Sequence, residues 1–455
     1  MLDPDLTEDD VRTAIGDLDA AVRSRAEEAW MALTAGTGPG TVTRAGLQNW
    51  LWWLLPKRSN SVDAYDEWVA MADAAAILFD QLHAHSYAAL CRSERTAQVL
   101  AAWGTSNSQG RQASRRAMAA SPVEPPDLDD FAWGTVFSGW ENAARTAVEA
   151  ALEAAIIDGR LDPSARSWRR VARQVCAEAL DADHPSRVGQ SWRTLVRTER
   201  AEQWAAGSRV PPTSVDARRQ VAKRFLNPPS RPDPAAVAQP LALLTWFAVT
   251  CAEGVTLTAS GYLPRALVAE AAERYGWWDW EKPPRSEADV WELRLVRKVA
   301  VALGVVRLRG RTLKTTKAGA TLTDDPLPWW PKLVRVGLAP DPYRDEIFEL
   351  LILALIDGRV HRIDRLASVI GDQLAAGGWQ ADGQPVSATD HGQNLYMAFN
   401  PWRVWGYITY RSARWESSPN GPRRVEPATV RISPAGTAAA DVWLHDRITG
   451  PRHEP

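Results

Sequence analysis

A chain of 455 residues has room for about three domains and a sizeable core. Its formal net charge of −2 excludes a uniform polycation, and Cys91, Cys176 and Cys251 are too scattered for a disulfide framework or a cysteine-based zinc site. The acidic start MLDPDLTEDD does not read as a secretory signal, and the apolar runs Leu241–Ala252 and Ile347–Ile356 are too short to span a bilayer, so a reduced, cytoplasmic protein with no membrane partner is expected.

Residues 1–121 read as an acidic, all-helical domain. Thr7 is a candidate N-cap, with Asp9 and Asp10 in the first turn. Thr43–Leu55 reads as a tryptophan-heavy helix stopped by Pro56, and Tyr65–Leu82 and Tyr87–Trp103 follow as helices. Gly104–Gln112 reads as a polar, flexible loop. Ser121–Asp130, with three prolines and four acids, reads as a linker.

Residues 131–226 form a basic helical region. Ala165–Asp181 places Arg166, Arg169, Arg170 and Arg173 on one helical face, and Ser186–Ala206 reads as a second helix after a turn. Read as a helix-turn-helix, the second helix turns Arg187, Gln190, Ser191, Thr194 and Arg197 outward. Arginine and glutamine contact base edges in a major groove, while the first four arginines track phosphates. Gly189 inside that helix counts against it. Charge supports a polyanion or an acidic partner: residues 1–159 carry −11, residues 160–231 carry +8 and residues 232–455 carry +1.

After the proline-rich stretch 228–240, taken as a domain boundary, the order is helix (Pro240–Ala252), short strand (Val255–Thr258), helix (Pro264–Tyr275) and long helix (Ser286–Gly304). The period then changes to two. Val306 and Leu308 alternate with Arg307, Arg309 and Arg311 around a tip at Gly310, and Leu313, Thr315 and Thr316 return before Lys317-Ala-Gly319 opens a short helix. The segments VTLTASGYLPRALVAEAAERYGWW and LGVVRLRGRTLKTTKAGATL resemble winged-helix modules in uncharacterised proteins of high-GC bacteria. The resemblance covers about Pro240–Asp325 and implies a fold, not an activity.

A weaker copy follows. Asp345–Asp357 and Ile363–Leu374 read as helices, with a third inside Gly392–Val404. Gly406–Tyr410 then plays the part of Gly304–Leu308, and Thr429–Gly436 that of Thr312–Gly319. The hairpin tip carries a longer insert, Ser412–Pro427. The expected architecture is therefore mainly α: a multi-helical N-terminal region followed by two winged-helix (α+β) domains with short β-hairpins, at 239–326 and 343–446.

Two function classes are weighed. The first is DNA binding, in a regulatory or mobile-element role. It uses the basic middle and the wings, where Arg307, Arg309, Arg311, Lys314 and Lys317 run without an acid and Arg411, Arg414, Arg423 and Arg424 gather on the second hairpin. Glu287, Asp289 and Glu292 at the start of the long helix would repel DNA, so contact led by the wing is favoured over readout by the helix. The second class is an interaction scaffold for a protein partner or for self-association. Catalysis and cofactors are not expected. His83 and His85 beside Asp80 do not share a helical face, Asp357, His361 and Asp364 are interrupted by Gly358, and phosphate-loop, HExxH and GxSxG motifs are absent. The 23 tryptophans mostly fall at apolar helix positions and read as core, against a base-stacking surface.

Overall fold

A computed structural model describes residues 2, 5–58, 64–136, 138–336, 342–381, 384–385, 395, 398–416 and 423–452, with the backbone alone for 342–344, 381, 385, 415–416 and 423–425. The protein is mainly α, with small antiparallel sheets of two or three strands. Contacts group the chain into two units. The first runs from Met1 to Glu199 and takes in Pro451 and Arg452, and the second is Arg200–Gly450. The proline-rich stretch 228–240 lies within the second unit.

The first unit opens on Glu8–Gly16, whose N-cap Thr7 forms a capping box with Asp10. Tryptophan is its main large core residue. Trp50 and Trp52 are fully buried, Trp52 donates to Thr96 Oγ1 at 3.0 Å, and Trp103 donates to the Trp52 carbonyl at 3.0 Å. Trp52 and Trp103 thus bury a wide apolar surface while each N–H finds a partner, whereas the Trp50 ring is buried without one among the described residues.

Three local expectations are corrected here. Pro56 does not stop its helix: a π turn over Trp50–Leu54 widens the coil, and the helix continues through Leu55–Lys57. The polar stretch after Gly104 is no loop but the start of the helix Asn107–Ala119, because Ser106 accepts from Gln109 N and caps it. The second helix of the basic region begins only at Trp192. Asp183–His184 and Arg187–Ser191 form an antiparallel hairpin before it, with Gly189 at φ +79°. That left-handed glycine is at ease in a hairpin and out of place in a helix.

In the second unit one element order occurs twice. The first pass is Pro234–Thr250, Val255–Thr256, Arg265–Tyr275, Trp291–Ala302, Val306–Arg309, Thr312–Thr315 and Lys317–Ala320. The second is Pro342–Leu355, His361–Arg362, Ile363–Ala376, a helical segment at 398–404, Ile408–Arg411, Thr429–Ile432 and Pro434–Thr449. Each pass closes a three-stranded sheet with the last strand in the centre. The registers correspond: Val255 pairs Leu313 as His361 pairs Val430, and Leu308 pairs Leu313 as Tyr410 pairs Val430.

The two passes share their smallest details. Thr316 and Ser433 each cap the closing helix and accept from Gly319 N and Gly436 N. Each hydroxyl also donates at 2.7 Å to the carbonyl of the turn glycine before the hairpin, Gly304 or Gly406. One buried core runs through both passes, from Ala201 to Ile448. The first helix starts six residues earlier than Pro240, because Asp233 caps it and Pro234 suits a first turn.

Candidate nucleic-acid interface

The hairpin of the first pass is set by two glycines. Gly304 (φ +70°) ends the preceding helix and Gly310 (φ +58°) makes the tip. Alternation then sorts the side chains. Val306 and Leu313 turn into the core, and Arg307, Arg309 and Lys314 turn to solvent. Arg307 stands directly opposite Lys314. Among the described residues no carboxylate pairs with Arg307, Arg309, Lys314 or the equally exposed Lys317. Arg311 differs: its guanidinium donates at 2.7 Å to the Leu257 carbonyl and ties the tip to the short first strand.

The acids expected to guard the long helix are placed elsewhere. That helix begins at Trp291, not at Ser286, because Asp289 accepts from Arg285 N and Ser286 N and holds a separate turn. Glu287 is fully buried, accepts from Leu263 N at 2.9 Å and lies 2.9 Å from the Arg297 guanidinium. Glu292 is also buried and pairs with Arg403 at 3.2 Å, and burial raises its pKa from the ordinary carboxylate range. The helix therefore shows solvent a different face, made of Trp291, Arg294, Lys298 and Val301. Arg294 and Lys298 sit four residues apart, exposed, with no carboxylate partner among the described residues. The spacing of these two cations was visible in the sequence. The inward turn of Glu287 and Glu292 was not, while Asp289 stays exposed on its separate turn.

The second pass handles its charge differently. Arg411 and Arg414 both approach Glu426, at 3.6 and 3.3 Å. The position matching Lys314 is the exposed Arg431, but Thr409 faces it instead of a second cation. Arg423 and Arg424 lie on the strand Arg423–Glu426, which pairs with Arg414–Glu416 as an outer extension of the hairpin.

In the first unit the candidate cations are dispersed. Arg166, Arg169 and Arg170 are exposed, and Arg169 lies over the Trp168 ring at 4.7 Å. Arg173 pairs with Asp129 at 2.5 Å. Arg187 and Gln190 sit on the hairpin strand, not on a helix, and Arg187 covers the Trp140 ring at 4.9 Å. Arg197 does not face outward at all. It is buried and donates to the carbonyl and carboxylate of Asp130, so the helix-turn-helix reading of this region loses its contact residues.

The histidine clusters have local partners. His85 Nδ1 lies 3.2 Å from Asp80, which also pairs with Arg92 at 2.6 Å, and His361 Nε2 lies 3.2 Å from Asp357. No group of three or more metal-binding side chains occurs among the described residues. No helix among them is long and apolar enough to cross a membrane. All three cysteines are buried and free.

Residues 237–327 match the family model described as the Y4jL N-terminal domain, a span that coincides with the first pass. No curated protein matches the chain, and no solved structure does.

Proposed function

We propose that the first pass of the repeat is a winged-helix module that docks duplex DNA, with its Trp291–Ala302 helix and its Arg307–Lys314 hairpin as the contact surface. The carrying observation is an unpaired set of cations on two adjoining elements: Arg294 and Lys298 on the helix, Arg307, Arg309 and Lys314 on the hairpin. Such residues neutralise phosphates and release counterions, and arginine also reaches guanine edges in a major groove. The second pass carries its own Glu426 against its hairpin arginines and acts chiefly as a structural partner of the first. We place the protein in the cytoplasm, where its buried thiols stay reduced. A regulatory or mobile-element role fits this surface.

The test is fluorescence anisotropy against a labelled random duplex across a salt series. Five phosphate contacts predict a slope of log affinity against log salt of about −4 to −5. Absence of binding at low salt would remove the reading. A second reading, docking of an acidic protein or of a second copy, is favoured by the exposed apolar Trp291, Val301 and Leu308 among the same cations. Absence of duplex binding together with self-association, or capture of an acidic protein, that is lost on truncating Leu308 would support it.

A further inference from the structure

The first 159 residues carry −11, yet the helix Asn107–Ala119 has three arginines and no acid. Asn107–Ala119 reads NSQGRQASRRAMA. Its inner face is locked down. Gly110 lies so close to the Trp103 ring that an added Cβ would fall 2.2 Å from it, and the buried Ser114 donates at 2.5 Å to the Trp52 carbonyl and accepts from Trp103 Nε1 at 2.9 Å. The helix therefore has one rotational setting. That setting presents Ser108, Arg111, Gln112, Arg115 and Arg116 to solvent, where with Ala119 they line one surface depression.

Among the described residues no carboxylate pairs with Arg111, Arg115 or Arg116. Among the described residues the only hydrogen bond from these guanidiniums is Arg111 Nε to the Asn107 carbonyl, at 3.2 Å. The neighbouring helix Glu94–Thr105 adds Arg95, which donates at 3.4 Å to the Ala120 carbonyl, and its acid Glu94 is occupied by Gln98 at 2.8 Å. Elsewhere in this unit most arginines near acids are paired: Arg25 with Glu67, Arg58 with Glu28, Arg92 with Asp80. A rigid face of three unpaired guanidiniums, flanked by a hydroxyl and an amide, has the chemistry of a phosphate track: charge-assisted donors with serine and glutamine as neutral ones.

We infer that the exposed face of Asn107–Ala119 binds a phosphate polyanion, independently of the surface on the other unit. Acidic protein segments are the competing ligand class. Their carboxylates match guanidiniums equally well, but phosphate offers more acceptor oxygens per charge for the neighbouring Ser108 and Gln112, donors typical of phosphate contacts, and the matched poly-glutamate probe separates the two classes.

The test uses the full chain and two probes, inorganic polyphosphate and poly-glutamate of matched charge, each over 50–200 mM salt. Three proteins are compared: the native chain, the triple variant R111Q/R115Q/R116Q, and R111K/R115K/R116K, which keeps the charge. The native chain and the lysine variant are expected to bind polyphosphate. The glutamine variant is expected to lose about three phosphate contacts, so its affinity changes roughly 20-fold less over that salt range, taking the single-strand coefficient for a flexible polyanion. Equal binding of polyphosphate by the native and glutamine proteins would overturn the inference, as would tighter binding of poly-glutamate than of polyphosphate. All three proteins, the one with the native helix included, also carry R307Q/R309Q/K314Q, so that polyphosphate held at the hairpin does not mask the helix, and the result is read separately from any failure of duplex binding by the chain with a native hairpin. If the glutamine variant melts below the native chain while the lysine variant does not, the single variant R115Q, expected to change the salt response by about one contact, decides instead.

Discussion

Arg307 and Lys314 face each other across the hairpin of the first pass, on the same solvent side, with no carboxylate partner among the described residues. Like charges directly opposite in an antiparallel pair destabilise it. The pair costs the isolated protein something, and the cost is relieved when an anion sits over both. Lys314→Glu turns repulsion into attraction. We expect it to stabilise the fold by roughly 0.2–1 kcal/mol and to weaken duplex binding. Thermal melting and anisotropy on one preparation check both signs. A loss of stability, or unchanged binding, would contradict the account.

Gly319 and Gly436 are required by close approach rather than by conformation. A Cβ on Gly319 would lie 2.1 Å from the Val305 carbonyl oxygen, and one on Gly436 would lie 1.9 Å from that of Tyr407. Both contacts are with backbone, which cannot rotate aside. Gly319→Ala and Gly436→Ala should each cost on the order of 1–3 kcal/mol or more. Gly16→Ala meets nothing within 4 Å and serves as the control. Removing the caps by Thr316→Ala or Ser433→Ala should cost about 1 kcal/mol each. Denaturant midpoints measure all five. Unequal effects at the two matching positions would argue against a true structural repeat.

The hairpin was legible in the sequence because its signals are local: Gly304, Gly310 and a two-residue period between them. The second pass was legible through Thr429–Gly436, where the strand, the serine cap and the close-packed glycine recur in order. The exposed face of Trp291–Ala302 was not legible, because its charge depends on distant partners. Glu287 is neutralised by Leu263 N and Arg297, and Glu292 by Arg403 from 111 residues away. Arg197 failed for the same reason in reverse, since Asp130 draws it inward from 67 residues away. Asn107–Ala119 was missed because serine, asparagine and glutamine suggest a loop until Ser106 is seen to cap them.

Glu349 holds three donors at once in the core of the second unit. Arg218 and Arg447 each donate at 2.7 Å and Trp204 Nε1 at 3.1 Å, with the carboxylate almost fully buried. Arg218 also approaches Glu346 at 3.4 Å, and burial raises the pKa of Glu346. Glu349→Ala leaves two guanidiniums facing a cavity and should cost roughly 3–5 kcal/mol. Glu349→Gln retains the shape and some acceptor capacity and should cost less. Chemical denaturation ranks the two. Near-equal losses would show that volume, not charge, is what the site requires.

Glu149 provides the pH test. It lies 2.9 Å from Arg145, one turn earlier on the helix Gly139–Ile157, and Arg145 is shared with Glu124 at 2.6 Å. Burial pushes the Glu149 carboxyl up to about 7, only partly offset by the Arg145 charge, and Glu124 adds to the rise. In the unfolded chain the same group titrates near its ordinary value of 4.5. Between those two values the folded protein holds a proton that the unfolded chain has released. Stability from this group is therefore full below about 4.5 and falls as pH rises through about 7. Glu149→Gln keeps the neutral form at every pH. Its denaturation midpoint should match the native protein's below about pH 4.5, pull ahead between there and about 7, and exceed it fully at pH 8. The difference between the two proteins, plotted against pH, isolates this group from every other titration. A flat difference would mean that Arg145 already compensates the buried charge.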